Sequence, residues 1–247
     1  MNIKISEKAG FCFGVKRAMG LAWRELCDEH DKQTYALGPL IHNKQAVEKY
    51  EERGLITADD IEEIPSDVKM IIRSHGVSKS IYDRAEEKGL DVVDTTCPFV
   101  KKIHDIVKEN YDNGKKIILI GDKNHPEVIG INGWCKNTAI TIKTIEEAEV
   151  LELNNDKSYC AVAQTTMNLE VYRKIVEILK TKADDIDHGA GIILKAKMGD
   201  YVKKGDVLGV LYASEEEKFA KAEETLLDAY SIKDEKPVKS SIIHKVI

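Results

Sequence analysis

From residue 1 to about residue 180, short apolar runs alternate with charged stretches of helical periodicity. The apolar runs, rich in β-branched residues, predict strands at Ile3–Ser6, Thr34–Pro39, Met70–Ser74, Val92–Asp94, Ile117–Gly121, Ala139–Ile142 and Tyr159–Ala163. The charged stretches between them predict amphipathic helices at Val15–Glu29, Lys44–Arg53, Lys79–Lys88, Val100–Tyr111 and Leu169–Lys182. Because strands and helices alternate, we expect α/β architecture with largely parallel sheets, arranged as two similar small lobes.

The pattern changes after about residue 184. Gly189 to Leu194, followed by Gly-Asp pairs at 199–200 and 205–206, predicts tight antiparallel β structure. A helix from Glu215 to Tyr230 and a last strand near Ile242 are expected to follow. The predicted domains are therefore a first lobe over 1–96, a second lobe over 97–182 and a small, hairpin-rich α+β domain over 183–247.

Composition and charge exclude several classes of protein. The chain is 43% hydrophobic and 32% charged, which favours a folded globular protein, and its net charge of −6 argues against a general nucleic-acid binder. No apolar run is long enough to cross a membrane, and the first eight residues lack the apolar core of a signal peptide, so a cytoplasmic protein is expected. Five widely spaced cysteines, an odd number, disfavour a disulfide framework.

Polar residues that suit catalysis follow most of the predicted strands. In open α/β sheets, ligands bind beyond the carboxyl ends of the strands, so these residues are expected to share one crevice. They are Cys12, His42, His75, Cys97, His125, Glu127, Thr165 and Thr166.

The two thiols in this set each precede a predicted helix. Pro98 suits a first helical position, so Cys97 is expected to cap a helix, where free amides and the helix dipole stabilise a thiolate that could bind iron. Cys12 lies between Gly10 and Gly14, again just before a helix. A small buried thiol at a helix start explains each of them equally well.

The remaining cysteines and histidines fit structural roles. Cys27, Cys135 and Cys160 are expected to be packing residues. On charged helical stretches, His30 and His104 are expected to be solvated.

His125 and Glu127 lie on one short predicted loop and could deliver a proton to a leaving hydroxyl group. A capped loop with no catalytic role is the simpler alternative. His42, His75 and the amide of Gly76 could donate hydrogen bonds to a diphosphate. Thr165 or Thr166 could instead be the N-cap of the helix that follows.

Six motifs together resemble 4-hydroxy-3-methylbut-2-enyl diphosphate reductase, over about residues 1 to 182. They are 9–18 (AGFCFGVKRA), 38–43 (GPLIHN), 73–77 (RSHGV), 94–98 (DTTCP), 124–127 (NHPE) and 164–166 (QTT). This resemblance implies the last enzyme of the non-mevalonate isoprenoid pathway, which reductively removes a hydroxyl group to give isopentenyl and dimethylallyl diphosphate.

The resemblance also implies a role for each site residue. Cys12 and Cys97 correspond to two of three thiolates that hold a 4Fe-4S cluster, whose remaining iron stays open for the substrate's hydroxyl. The carboxyl group of Glu127 would be the proton source, and His125 with Thr165 or Thr166 would organise the alcohol. His42 and His75 would bind the diphosphate, and ferredoxin or flavodoxin would supply electrons.

The family fold has three α/β lobes, and only two are recognisable here. No residue matches the third cluster cysteine or the serine and asparagine donors of the third lobe. In their place, residues 183–192 (ADDIDHGAGI), 197–206 (KMGDYVKKGD) and 242–247 (IIHKVI) resemble the C-terminal domain of pyrimidine nucleoside phosphorylase. This similarity implies no phosphorolysis, because the phosphorylase's phosphate-binding loop lies elsewhere in that enzyme.

The sequence is therefore consistent with two alternative functions. One is a reductase that is impaired in this fused or truncated chain because the third lobe is missing. The other is a catalytically silent protein that binds diphosphate or acts as a scaffold. A phosphorylase relative is a weaker third interpretation.

Overall fold

A computed structural model describes residues 4–6, 11–28, 32–41, 43–187, 191–194, 200–212, 223–224, 227, 232 and 243–246. The strands in this part of the chain are β1 Lys4–Ser6, β2 Thr34–Leu37, β3 Leu55–Ala58, β4 Lys69–Ile72, β5 Asp91–Asp94, β6 Lys116–Ile120, β7 Ile140–Ile142, β8 Tyr159–Ala163, β9 Ile186–Asp187, β10 Gly191–Leu194, β11 Gly209–Tyr212 and β12 Ile243–Val246. The helices are α1 Phe13–Cys27, α2 Lys44–Glu51, α3 Lys79–Glu87, α4 Pro98–Asp112, α5 Pro126–Asn132, α6 Ile145–Val150 and α7 Leu169–Lys180.

The first lobe is built on a four-stranded parallel sheet in the order β3-β2-β4-β5. Its inner strands are apolar along their length, as in β4, where Met70, Ile71 and Ile72 are all buried. Parallel strands covered by helices on both faces require such continuous apolar runs. This is why the sequence pattern located β2 and β4 within a few residues.

The second lobe repeats this topology, with the order β7-β6-β8-β9 and all pairs parallel. Ile118, Leu119 and Ile120 fill the centre of its core. In each lobe the chain runs from the first strand to the edge strand on one side, β2 to β3 and β6 to β7. It then crosses to the strand on the other side of the first one, β4 or β8. The strand order therefore reverses between β2 and β4 and again between β6 and β8. Ligands of open α/β sheets bind at the carboxyl side of such reversals. The expected pair of similar parallel lobes is confirmed.

The two lobes pack against each other through the turn that follows β4. Trp134 donates a hydrogen bond from Nε1 to the carbonyl of Val77 at 3.0 Å. His104 stacks on the Trp134 ring with the ring centroids 5.1 Å apart. The expectation of a solvated His104 is therefore wrong, because this side chain is only 1% exposed. Its position on α4 is in register with buried Val100 and Val107, on the apolar face of the helix.

The chain divides into two compact units, residues 11–187 and residues 1–10 together with 188–247. The predicted strand at Ile3–Ser6 is present as β1, but it pairs antiparallel with β12 rather than joining the parallel sheet of the first lobe. The pairing of β10 with β11 is antiparallel, as the Gly-rich pattern predicted. Most of the predicted helix at Glu215–Tyr230, as well as His30, lies outside the described residues.

Among the described helices, none is long and apolar enough to cross a membrane.

Candidate active site

Glu127 is the centre of the polar cluster in the second lobe. Its carboxylate is 3% exposed. Oε1 accepts a hydrogen bond from the backbone N–H of Thr165 at 2.6 Å, and Oε2 accepts one from the Thr165 hydroxyl at 2.9 Å. Burial of an ionised carboxyl group is costly unless such bonds replace water. Thr165 is exposed, so this pair connects a buried acid to the surface of the crevice.

His125 directly precedes the first residue of α5. Its Nδ1 accepts a hydrogen bond from the N–H of Glu127 at 3.1 Å, so the imidazole is the N-cap of α5. Because Nδ1 is the acceptor, a ring proton of the imidazole lies on Nε2. The predicted loop at 124–127 is therefore a helix start that fixes the directions of both side chains.

His75, from the first lobe, reaches the same place. The His75 and His125 rings meet edge to face with their centroids 5.5 Å apart. Gly76 in this turn has φ +72°, and a Cβ added to it would lie 2.6 Å from a ring carbon of His104. The turn therefore requires glycine, both for its backbone conformation and for its close approach to α4. His42 lies outside the described residues, so its role as a diphosphate ligand stays a prediction.

Thr166 is organised by its neighbour Gln164. The Gln164 amide donates from Nε2 to the Thr166 hydroxyl at 2.8 Å, and its Oε1 accepts from the N–H of Asp122 at 3.2 Å. Neither threonine caps the next helix, because Asn168 does so by accepting from the N–H groups of Glu170 and Val171. The N-cap interpretation of Thr165 and Thr166 is wrong.

Cys12 and Cys97 are the N-cap residues of α1 and α4, and no side-chain capping bond occupies either sulfur. The two helix starts meet. A Cβ added to Gly14 would lie 2.6 Å from the Cys97 sulfur, and Arg17 of α1 donates a hydrogen bond to the carbonyl of Thr96 at 3.3 Å. Gly14 is two residues from Cys12. Cys97 and the first turn of α1, which follows Cys12, therefore adjoin at the two helix starts.

The other three cysteines have no access to this meeting point. Cys135 and Cys160 are fully buried in the core beneath the second sheet, where burial raises the pKa of the Cys135 thiol and raises that of Cys160 to about 12. Cys27 ends α1, about 22 Å along the helix axis from Cys12. The packing role is correct for Cys135 and Cys160 but wrong for Cys27, which is exposed beside Arg53.

Comparisons with known proteins identify the family of this chain. The family model described as LytB protein matches residues 3–196. A 4-hydroxy-3-methylbut-2-enyl diphosphate reductase of Clostridioides difficile strain 630 is 52% identical over 250 residues, covering 97% of this chain and 89% of the relative. The chain belongs to the LytB protein family.

Other LytB-family members match a smaller share of their own length. A reductase of Caldanaerobacter subterraneus subsp. tengcongensis is 47% identical over 188 residues, which are 75% of this chain and 65% of that relative. The solved Plasmodium falciparum reductase aligns with a TM-score of 0.68 and 31% identity, covering 73% of this chain and 57% of that one. A second solved reductase gives a TM-score of 0.64 and 37% identity over 74% and 64% of the two chains.

The C-terminal segment has a different relationship. Residues 180–233 match the model described as pyrimidine nucleoside phosphorylase C-terminal domain. The LytB and phosphorylase matches overlap between residues 180 and 196.

Only part of the ligand set for an iron-sulfur cluster is found in this LytB-family chain. Cys12 and Cys97 fit two ligand positions, since both thiols are free and lie at adjoining helix starts. Within the described residues, no group of three or more His, Cys, Asp or Glu side chains could hold a metal ion. In the described part of the chain, Cys27, Cys135 and Cys160 lie away from these two helix starts.

Proposed function

We propose that this chain supplies two lobes of a reductase that converts 4-hydroxy-3-methylbut-2-enyl diphosphate into isopentenyl and dimethylallyl diphosphate. The net reaction replaces a carbon–oxygen bond by a carbon–hydrogen bond. Two electrons and two protons enter, and the hydroxyl group leaves as water. The observation that carries the proposal is the buried Glu127 carboxylate, bonded through Thr165 to the crevice that also holds His125 and His75.

Glu127 and Thr165 form the proton path in this proposal. When Glu127 is protonated on Oε2, the Thr165 hydroxyl can accept that proton's hydrogen bond and donate its own hydrogen to the substrate alcohol. The leaving oxygen then departs as water rather than hydroxide, as general acid catalysis requires. The ring of His125, with its proton on Nε2, faces the same crevice and can hold the alcohol or the nearer phosphate.

Cys12 and Cys97 would hold the iron-sulfur cluster, which, when bound, would relay two electrons one at a time from an external carrier. Thiolates are the ligands that such clusters require, and both residues are N-caps of adjoining helices. The protein chain would hold the cluster through these two sulfurs, while Glu127 and Thr165 would supply the proton. Gly14 makes this possible, because only a residue without a side chain lets α1 approach the Cys97 sulfur so closely.

Electrons would enter from ferredoxin or flavodoxin across the outer surface of these helix starts. Phe13 and Phe99 are 64% and 65% exposed there, and the side chains of Lys16 and Lys102 lie exposed one turn further along α1 and α4. Exposed rings within a positively charged surface suit an acidic one-electron carrier. Lys102→Glu should slow turnover with ferredoxin but not with dithionite, and equal slowing with both would contradict this entry route.

The proposal is tested by anaerobic turnover with the Glu127→Gln variant. Glutamine keeps the shape of the side chain but cannot release the proton, so kcat should fall at least about a hundredfold while KM changes little. Glu177→Gln, at an exposed position of α7, is the matched control and should retain wild-type rates. Unchanged kcat in Glu127→Gln would remove the proton-donor role.

A catalytically silent diphosphate-binding protein is the second candidate. The observation in its favour is that the five cysteines place only two thiols at the helix starts. Calorimetry of the substrate against the metal-free chain separates the two functions. Saturable binding that is lost in His42→Ala and His75→Ala, in a chain that never retains iron, would support the silent protein. Binding that depends on iron would support the reductase.

A further inference from the structure

Arg73 is the first residue after β4, and its side chain lies across the end of the neighbouring strand β2. Gly38 is the first residue after β2, with φ +71°. A Cβ added to Gly38 would lie 2.7 Å from Arg73 Nη1 and 3.2 Å from Cζ. The guanidinium group therefore occupies the space that a side chain at Gly38 would fill, at the carboxyl edge of the first sheet.

This guanidinium group has no partner within the described part of the chain. Its Nε is fully buried and makes no hydrogen bond there, and no described carboxylate lies within ion-pair distance of the group. Burial lowers the pKa of Arg73, as expected when the charged form loses hydration. A guanidinium group has five N–H donors, and leaving the buried Nε–H unbonded is unfavourable.

The second lobe has an uncharged residue at the same position. The pairing of β2 with β4 brings Leu37 opposite Ile72, and that of β6 with β8 brings Ile120 opposite Ala163. Gly121 and Gln164 are therefore the counterparts of Gly38 and Arg73. A Cβ added to Gly121 would lie 3.0 Å from Gln164 Oε1, so Gln164 crosses its glycine as Arg73 does.

The two counterparts differ in charge and in bonding. Gln164 is neutral, and both ends of its amide are bonded within the lobe, to the N–H of Asp122 and the hydroxyl of Thr166. Arg73 carries a positive charge and lacks any such bond to the described residues. Packing at this position therefore does not require a cation, and the first lobe has one whose Nη groups make no bond to the described residues.

The position of Arg73 identifies the chemistry of that ligand. The strand order of the first sheet reverses between β2 and β4, so the Arg73 head lies at the site where ligands of open α/β sheets bind. The carbonyl of Arg73 closes the turn to the N–H of Gly76 at 3.0 Å, which places His75 in the same turn. Guanidinium groups bind phosphate oxygens through two parallel hydrogen bonds.

We propose that Arg73 is a substrate-binding residue that donates hydrogen bonds to a phosphate of an organic diphosphate. The inference rests on the proposed function in one respect only, the identity of that diphosphate with the allylic substrate. The anion site itself requires neither a cluster nor turnover.

Calorimetry with the metal-free chain tests the proposal, with inorganic phosphate, inorganic pyrophosphate and the allylic diphosphate as separate titrants in a chelating buffer. Arg73→Gln introduces the residue that the second lobe uses, and it should weaken pyrophosphate binding about ten- to hundredfold, since one or two charge-assisted bonds are lost. The pyrophosphate affinity of Arg73→Lys should lie between those of the wild type and Arg73→Gln, because lysine keeps the charge but cannot form the two parallel hydrogen bonds. Arg173→Gln, at an exposed position of α7, removes the same charge and should bind as the wild type does.

Thermal unfolding of the ligand-free variants gives a second readout. Arg73→Gln should leave Tm unchanged or raise it, because a buried charge without partners is removed, and pyrophosphate should raise Tm less in this variant than in the wild type. A Tm lowered by several degrees, with pyrophosphate affinity within twofold of the wild type, would show a structural role and overturn the proposal. Absence of pyrophosphate binding by the wild type would also overturn it.

Experiments can contradict the proposed anion site and the proposed reductase function independently of each other. Loss of turnover in Glu127→Gln with intact pyrophosphate binding leaves the anion site standing. Pyrophosphate binding that depends on Arg73 in a chain that never turns over would support the anion site and contradict the reductase. Tighter binding of the allylic diphosphate than of pyrophosphate, in the same chain, identifies the substrate as the ligand.

Discussion

At the scale of single residues, the site depends on polar groups that are hydrogen-bonded to one another. Glu127 accepts from both the backbone and the hydroxyl of Thr165, and its own N–H bonds to His125. Such a network fixes the carboxylate in one orientation before substrate arrives. Preorganised groups of this kind lower the cost of reaching the transition state.

Thr165→Val should damage both stability and catalysis. The variant leaves Glu127 Oε2 without its protein donor, which costs about 1–3 kcal/mol for a buried charged acceptor. Chemical denaturation should show that loss, and turnover should fall because the proton path ends at the carboxylate. Thr166→Val is the control, since its hydroxyl bonds only to the exposed end of Gln164, and it should cost less than about 1 kcal/mol. Equal losses in the two variants would contradict the proton path.

The sequence predicted the residues of this network but not their contacts. Glu127, His125 and Thr165 were predicted because each follows an apolar strand. Their bonding depends on α5, whose seven residues, with Pro126 first and Gly130 inside, are too few to show a helical period. For Arg73, the sequence signal was its place directly after β4, which becomes informative only when the two lobes are compared position by position.

At the scale of elements, the start of α1 shows how packing against a neighbouring helix restricts which residue a helix can contain. Gly14 and Gly20 both lie in α1, but a Cβ added to Gly14 would meet the Cys97 sulfur, whereas one added to Gly20 meets nothing within 4 Å. The first glycine is needed for the contact between α1 and α4. The second only lowers the helical propensity of α1.

Gly14→Ala and Gly20→Ala should therefore have opposite effects. Gly20→Ala should raise the free energy of unfolding by about 0.5–1 kcal/mol, because alanine favours the helix. Gly14→Ala should lower it, and should also reduce iron uptake, because the added methyl group separates the two helix starts. Denaturation curves of both variants measure this, and a stabilising Gly14→Ala would contradict the close approach of α1 to Cys97.

The strands show which elements can be predicted from local pattern. The central strands β4 and β6 are continuous apolar runs and were predicted within one or two residues. The short strand β3, Leu55–Ala58, was missed because only its two end residues are fully buried. The strand β1 was predicted, but its partner β12 lies more than two hundred residues away, and no local pattern encodes that pairing.

At the scale of the whole molecule, α4 connects the two lobes, and the stability of the contact between them should depend on pH. His104 of α4 stacks on Trp134 and lies under the Gly76 turn. Burial is the main cause that lowers its pKa from the ordinary 6.5 to about 4. The folded protein therefore keeps this imidazole neutral where the unfolded chain would protonate it.

Acidification should therefore weaken the folded state. Below pH 6.5 the unfolded chain takes up a proton that the folded protein does not bind until about pH 4, so stability is lost as pH falls through this window. The loss attributable to His104 is at most about 3 kcal/mol. His104→Phe keeps the aromatic stacking and should flatten the dependence. Denaturation at several pH values measures this, and identical slopes for both proteins would contradict the assignment.

In the proposed reductase, the two lobes supply two thiols for the cluster, and an added small thiol should complete the ligand set. Anaerobic reconstitution with a small thiol tests this account most directly, with bound iron and sulfide measured after gel filtration. The wild type and Cys27→Ser should retain both, the retention should depend on the added thiol, and Cys97→Ser should lose both. A wild-type chain that holds no sulfide, or a Cys97→Ser variant that holds as much as the wild type, would contradict the cluster site.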